Sequence, residues 1–317
     1  MGAVCLKLGK SYYPVSVFSH LLITYYSVKD GMRGYKLPLP AYNYWRLCLL
    51  LNPMKHLPNL LTLANLFCGC IAIAYLLTAQ PYVYRNMTDG SLQWIMGTEQ
   101  LYLGSVFIGI AAVCDMLDGF AARALNVFSP IGKDLDSLAD VVSFGVAPSV
   151  ILFKCLWNAQ MEQADAFDAS MLGMVPAFLV ACFAALRLAK FNVTSNEQKN
   201  YFIGMPTPAV GIFIGSFPLL MWYNPFNVIV FMHSKWVIYL IIAIVCLLMV
   251  SNIKFFKMIP HGKGIGNWWP QLVLVAATLA SIPFLQIAAV PFAFILYVLL
   301  SLVYRYPAVQ QPATVNA

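Results

Sequence analysis

The chain reads as an all-α, polytopic membrane protein with about eight transmembrane helices. Three observations predict this. Of its 317 residues, 61% are hydrophobic and only 10% charged, against about 25% charged in soluble domains. Apolar runs near the length needed to cross about 30 Å of hydrocarbon recur along it. Those runs lack the two-residue alternation of a membrane barrel, so helices must satisfy the backbone. The composition excludes an ordinary soluble domain and a disordered chain.

The spans are predicted at residues 57–78, 101–122, 136–157, 171–190, 207–222, 236–252, 269–286 and 288–305. The fifth is short, and the last two nearly touch, which predicts a hairpin. Orientation follows from Lys and Arg in the loops. Residues 1–56 hold seven basic residues and one acid, Asp30. Arg123 and Lys133, then Arg187, Lys190 and Lys199, then Lys254, Lys257 and Lys263 fall on that same side. The opposite side carries Arg85, Asp89, Glu99, the acidic stretch Glu162, Asp165 and Asp168, and Lys235. The expectation is a multi-pass protein of the cell membrane with both termini cytoplasmic. The basic balance is topological, and no nucleic-acid partner is expected. Residues 1–53 read as an extension ahead of a start at Met54. Residues 258–306 hold the last two helices and 307–317 a short tail.

Most of the eight cysteines lie inside apolar spans, no CxxC pair occurs, and packing is their expected role. The four histidines are isolated, without HxxxH or HExxH spacing.

Five of the 12 acids, Asp115, Asp118, Asp134, Asp136 and Asp140, fall within residues 115–140. Asp115 and Asp118 are i, i+3 and share a helix face. Gly119 leaves the backbone open to close approach, and Ala122 keeps the surface low. Arg123, one turn beyond Gly119, offers a fork for a phosphate. Ser129 followed by Pro130 is a helix start. Gly132, Asp136 and Asp140 then form an i, i+4, i+8 stripe. Asp134 lies about 200° around from Asp136 and faces elsewhere.

Carboxylates opposed in this way are costly. Each costs about 2.5–3.5 kcal/mol at a helix centre. A like-charge pair at about 4 Å adds about 4 kcal/mol at an effective dielectric near 20. Divalent cations would remove that penalty, and oxygen ligands suit Mg²⁺, Mn²⁺ or Ca²⁺. A cation pathway through the bundle is the competing reading, since intramembrane acids mark ion routes. It leaves Gly119, Ala122, Arg123 and Gly132 unexplained, and these suit a bound phosphate.

The spacing D-x2-D-G-x2-A-R-x8-G-x3-D-x3-D resembles the signature of the CDP-alcohol phosphotransferase family at all eight fixed positions. The segments PNLLTLANLFCG (58–69), DVVSFGVAPS (140–149), ALRLAKFNV (185–193), FIGMPTPA (202–209) and LMVSNIKF (248–255) are similar to its phosphatidylserine synthase branch. The resemblance implies a six-helix catalytic core over residues 54–257, a homodimer, and a site on the cytoplasmic side of the bilayer. It implies two divalent ions, Mg²⁺ or Mn²⁺, on Asp115, Asp118, Asp136 and Asp140, with Asp140 also the general base. Asn59, Thr62, Gly119, Ala122, Arg123 and Gly132 would meet the nucleotide and its phosphates. The implied substrates are CDP-diacylglycerol and L-serine; glycerol-3-phosphate or an inositol derivative is the alternative acceptor. Arg187, then Lys190 and Asn192, are the expected acceptor contacts, since a serine carboxylate needs a cation.

Overall fold

The computed structural model describes residues 5–8, 11–14, 53–85, 92–96, 98–125, 129–161, 170–194, 201–224, 228, 232, 234–257 and 268–304. The acidic stretch 162–168, Lys199, Lys263, the tail and most of residues 1–53 lie outside these. The chain divides into two compact units, Met1–Pro53 and Met54–Ala317. In the first, β1 (Cys5–Leu8) pairs antiparallel with β2 (Ser11–Pro14).

The second unit is helical. α1 spans Pro53–Thr78 and α2 Thr98–Ala124, joined through the hairpin of β3 (Pro81–Arg85) and β4 (Leu92–Met96). α3 (Pro130–Asp140) starts where Ser129 and Pro130 predict. The Ser129 hydroxyl accepts from the Gly132 N–H at 2.9 Å, which satisfies one orphan donor of the first turn. α3 passes through a π-helical turn, Val141–Val146, into α4 (Ala147–Met161). A short helical turn (Met171–Met174) and a 3₁₀ turn (Val175–Phe178) lead into α5, Leu179–Thr194. α6 (Thr207–Gly215), α7 (Phe217–Tyr223) and α8 (Lys235–Val250) follow. α9 (Trp269–Leu285) and α10 (Ala289–Val303) are separated by a 3₁₀ turn whose Gln286 has φ +49°.

Five described stretches are long and apolar enough to cross a membrane: His56–Thr78, Glu99–Ala124, Ile131–Met161, Met171–Thr194 and Trp269–Val303. Thr207–Tyr223 and Lys235–Val250 are shorter apolar helices. The protein is thus a multi-pass helical membrane protein; its described helices overlap the eight predicted segments, with the last two falling in the single stretch Trp269–Val303. The small two-stranded pairings are an addition to the all-α expectation. β5 (Tyr201–Ile203) and β6 (Lys254–Phe256) form one of them, tying the chain after α5 to the chain after α8.

Ile131–Met161 is the central helix: 72% of an 18-residue apolar window in it is buried, against 17–33% in the other four long stretches. Its π turn is the hub. The Ala147 N–H reaches back five residues to the Val142 carbonyl. Gly145 lets Ala184 of α5 approach: a Cβ there would lie 3.2 Å from the Ala184 Cβ. Fully buried Phe144 fills the space beside Gly211 of α6. Apolar side chains left exposed, such as Leu60, Phe67, Met116 and Phe120, suit contact with lipid tails.

α1 crosses the π turn at Gly69, where a Cβ would sit 2.9 Å from the Ser143 Cα. Backbone cannot yield there as a side-chain end can. Gly69→Ala is expected to destabilise the fold by about 1–3 kcal/mol. A lowered thermal midpoint in detergent checks this; an unchanged midpoint would contradict the close crossing.

Candidate active site

Three elements bring the acids together. The i, i+3 spacing on α2 presents Asp115 and Asp118, and α3 brings Asp136. One carboxylate oxygen from each lies within 4.8 Å of the others. Asp140, at the end of α3, comes within hydrogen-bonding reach of Asp115. Asp118 and Asp140 are buried, and Asp115 and Asp136 are half-buried. Asp134 is exposed and lies outside the group. Asp134→Asn is expected to leave the activity that the sequence resemblance implies within about twofold, as surface changes usually do; a large loss of that activity would contradict this register of α3.

α1 supplies the third wall. Asn59, Thr62 and Asn65 recur at i, i+3, i+6 and share a face. Thr62 is buried, donates to the Pro58 carbonyl at 3.0 Å and stands beside Asp118. Asn65, with no exposed surface, donates from Nδ2 to Asp140 Oδ1 at 3.4 Å. The buried Ser143 hydroxyl donates to the Asn65 carbonyl at 3.1 Å, so the π turn and α1 hold each other beside Asp140.

A cleft of about 220 Å³ opens on this cluster between α1, α2 and α3. Asn59, Thr62, Gly119, Ala122 and Gly132 line it, together with Asp118, Asp136 and Lys133. A Cβ on Gly119 would meet only the Arg123 guanidinium, at 4.0 Å, so this wall is low and ends in a cation. A Cβ on Gly132 would fall 3.0 Å from Asn59 Oδ1. Arg123 itself is exposed at the edge.

Arg187 of α5 is the buried cation of the site. It lies within electrostatic reach of Asp140, and its Nη1 donates to Thr207 Oγ1 at 3.3 Å. Phe191 and Phe202 lie 5.2 and 5.8 Å from its guanidinium carbon. Lys190 is exposed and donates to Asn252 Oδ1 at 3.2 Å. Asn192 donates from Nδ2 to Ser137 Oγ at 2.8 Å, while its carbonyl accepts from Lys133 Nζ at 3.1 Å. Outside the spans, burial holds the Lys257 ammonium below the usual lysine range; it lies 5.0 Å from the Phe202 ring.

Among the described residues, five buried side-chain polar atoms have no partner. Three belong here: Asn65 Oδ1, Asp118 Oδ2 and Arg187 Nε. Buried polar groups are otherwise paired, so a site with three orphans is shaped for something bound. The all-oxygen donor set and the unpartnered Asp118 oxygen fit a hard divalent cation. Sequence reading did not single out Asn65, Lys133 or Thr207. The signal for Asn65 was present: it extends the Asn59, Thr62 stripe through an otherwise apolar helix.

Fold and site together define a helical membrane protein with an intramembrane carboxylate centre suited to a divalent cation. Residues 55–251 match the family described as CDP-alcohol phosphatidyltransferase. A protein from Helicobacter pylori strain 26695, named CDP-diacylglycerol–serine O-phosphatidyltransferase, is 30% identical over 237 residues, covering 74% of this chain and 84% of its own. Proteins of the same name are 32% identical in Bacillus subtilis, over 66% of this chain and 93% of theirs, and 32% identical in Methanocaldococcus jannaschii, over 59% and 77%. The chain belongs to the CDP-alcohol phosphatidyltransferase family.

Proposed function

We infer that the chain transfers the phosphatidyl group of CDP-diacylglycerol to L-serine, forming phosphatidylserine and releasing CMP. The carrying observation is the cluster of Asp115, Asp118 and Asp136 with Asp140 at its edge, opening on a cleft walled by small residues. The shared name of the relatives supports the same reaction.

Asp115, Asp118, Asp136 and Asp140 would hold the divalent ions, which we assign as two, Mg²⁺ or Mn²⁺. Such ions supply Lewis-acid charge stabilisation to the phosphoryl group and the leaving CMP. The chain's own residues do the rest. The low wall at Gly119 and Ala122 admits the nucleotide, Asn59, Thr62 and Gly132 bound it, and Arg123 contacts its phosphates. The serine hydroxyl attacks the phosphorus attached to diacylglycerol; a P–O bond to serine forms as the P–O bond to CMP breaks. Asp140 takes the hydroxyl proton. Asn65 holds one Asp140 oxygen and so fixes the orientation of the other. Arg187, buried beside Asp140, takes the serine carboxylate through its unpartnered Nε edge.

The apolar runs support eight crossings of the cell membrane with the last two as a hairpin, and the loop charges support a site opening to the cytoplasm with both termini on the cytoplasmic side. The family resemblance supports a homodimer.

The test gives purified protein CDP-diacylglycerol, Mg²⁺ or Mn²⁺, and one alcohol at a time. CMP release with serine is expected. Release with glycerol-3-phosphate or inositol but not serine would overturn the acceptor. No release with any alcohol, together with cation flux in vesicles, would make the centre an ion route.

A further inference from the structure

We propose that the C-terminal helix α10, outside the family-matched residues 55–251, completes the acceptor side of the site, with Tyr297 as a positioning residue for Arg187. The proposal rests on the reading that Arg187 receives the serine carboxylate. Tyr297 is buried, and its hydroxyl donates to the Phe256 carbonyl at 2.9 Å. Its ring packs on Phe256 at 4.8 Å and on Phe255 at 5.6 Å. Those two residues are β6, and β6 is paired with β5: Phe255 opposes Phe202, and Phe256 opposes Tyr201. Phe202 is one of the two rings over the Arg187 guanidinium, at 5.8 Å, the other being Phe191 of α5 itself at 5.2 Å. Tyr297 therefore pins the strand pair that lies beside Arg187, and it stands within electrostatic reach of Arg187 itself.

A second contact of α10 bears on the helix that carries the hydrogen-bond partner of the same guanidinium. Phe294, nearly one turn before Tyr297, stacks on Phe213 of α6, with ring centroids 4.1 Å apart and planes 13° apart. α6 carries Thr207, the hydroxyl that accepts from Arg187. One helix thus braces both the ring and the hydroxyl that orient Arg187. A pairing of only three residues between segments about 50 residues apart has little stability of its own, so this brace gives α10 a function beyond spanning lipid.

Steady-state kinetics of the full chain with CDP-diacylglycerol and serine test the proposal. Tyr297→Phe keeps the ring and removes one buried hydrogen bond. It is expected to raise the KM for serine about threefold to tenfold. The KM for CDP-diacylglycerol should stay within about twofold. Tyr297→Ala, which also removes the packing on β6, should raise the serine KM further. If Tyr297→Ala fails to fold, Tyr297→Phe decides alone. An unchanged serine KM in Tyr297→Phe, or an equal rise in both KM values, would overturn the positioning role while leaving the reaction standing. A wild-type protein that makes no phosphatidylserine in the same assay would instead overturn the reading beneath it.

Discussion

Asp140→Asn is expected to reduce CMP release by about 10³-fold or more, within the range that a general base contributes together with a lost ligand charge. The side chain keeps its size, and its carbonyl oxygen can still accept from Asn65 Nδ2. What disappears is the proton acceptor we propose for the serine hydroxyl and a negative charge within electrostatic reach of Arg187. Relief of crowding with Asp115 and Asp136 offsets part of the lost attraction to Arg187, so the protein should still fold. The check is CMP release alongside size-exclusion chromatography in detergent. A folded Asp140→Asn protein within tenfold of wild type would remove Asp140 from the role of base.

Removing divalent metal is expected to abolish turnover, again by about 10³-fold or more, since Lewis-acid stabilisation supplies several kcal/mol. Without a counter-charge, each like-charge pair in the cluster costs about 4 kcal/mol at 4 Å, and the transferring phosphate meets only carboxylates on that wall. Excess chelator should stop CMP release, and Mg²⁺ or Mn²⁺ in excess should restore it. Asp118→Asn should weaken metal binding, read by calorimetry, because its buried Oδ2 has no protein partner to fall back on. Full turnover in excess chelator would contradict a metal centre here.

Much of this was legible in the sequence, for a physical reason. A helix that crosses lipid must be apolar over about 20 residues, so the five long apolar stretches and the two shorter apolar helices were visible as apolar runs. Helical periodicity placed Asp115 with Asp118 and turned Asp134 away; the structure has the three clustered acids and an exposed Asp134. The Ser129 cap is local chemistry and was equally readable. Tertiary features were not. The π turn through VVSFGV arises from what packs against it, Gly69 on one side and α5 and α6 on the others. The β5–β6 pairing joins segments about 50 residues apart through only three residue pairs. Lys133 read as a loop charge because its cleft exists only once α1 lies alongside α3. Asn65 read as part of an apolar span, although its period with Asn59 and Thr62 was on view. Tyr297 had no sequence signal at all: a single tyrosine in an apolar helix acquires meaning only from the carbonyl it reaches.

The most direct measurement follows ³¹P signals while purified protein converts CDP-diacylglycerol in the presence of Mg²⁺ and serine. The account predicts that phosphatidylserine and CMP appear together in equal amounts, with no signal change when serine is left out. CMP appearing without phosphatidylserine, or conversion that proceeds without serine, would contradict transfer to the serine hydroxyl at this four-carboxylate centre.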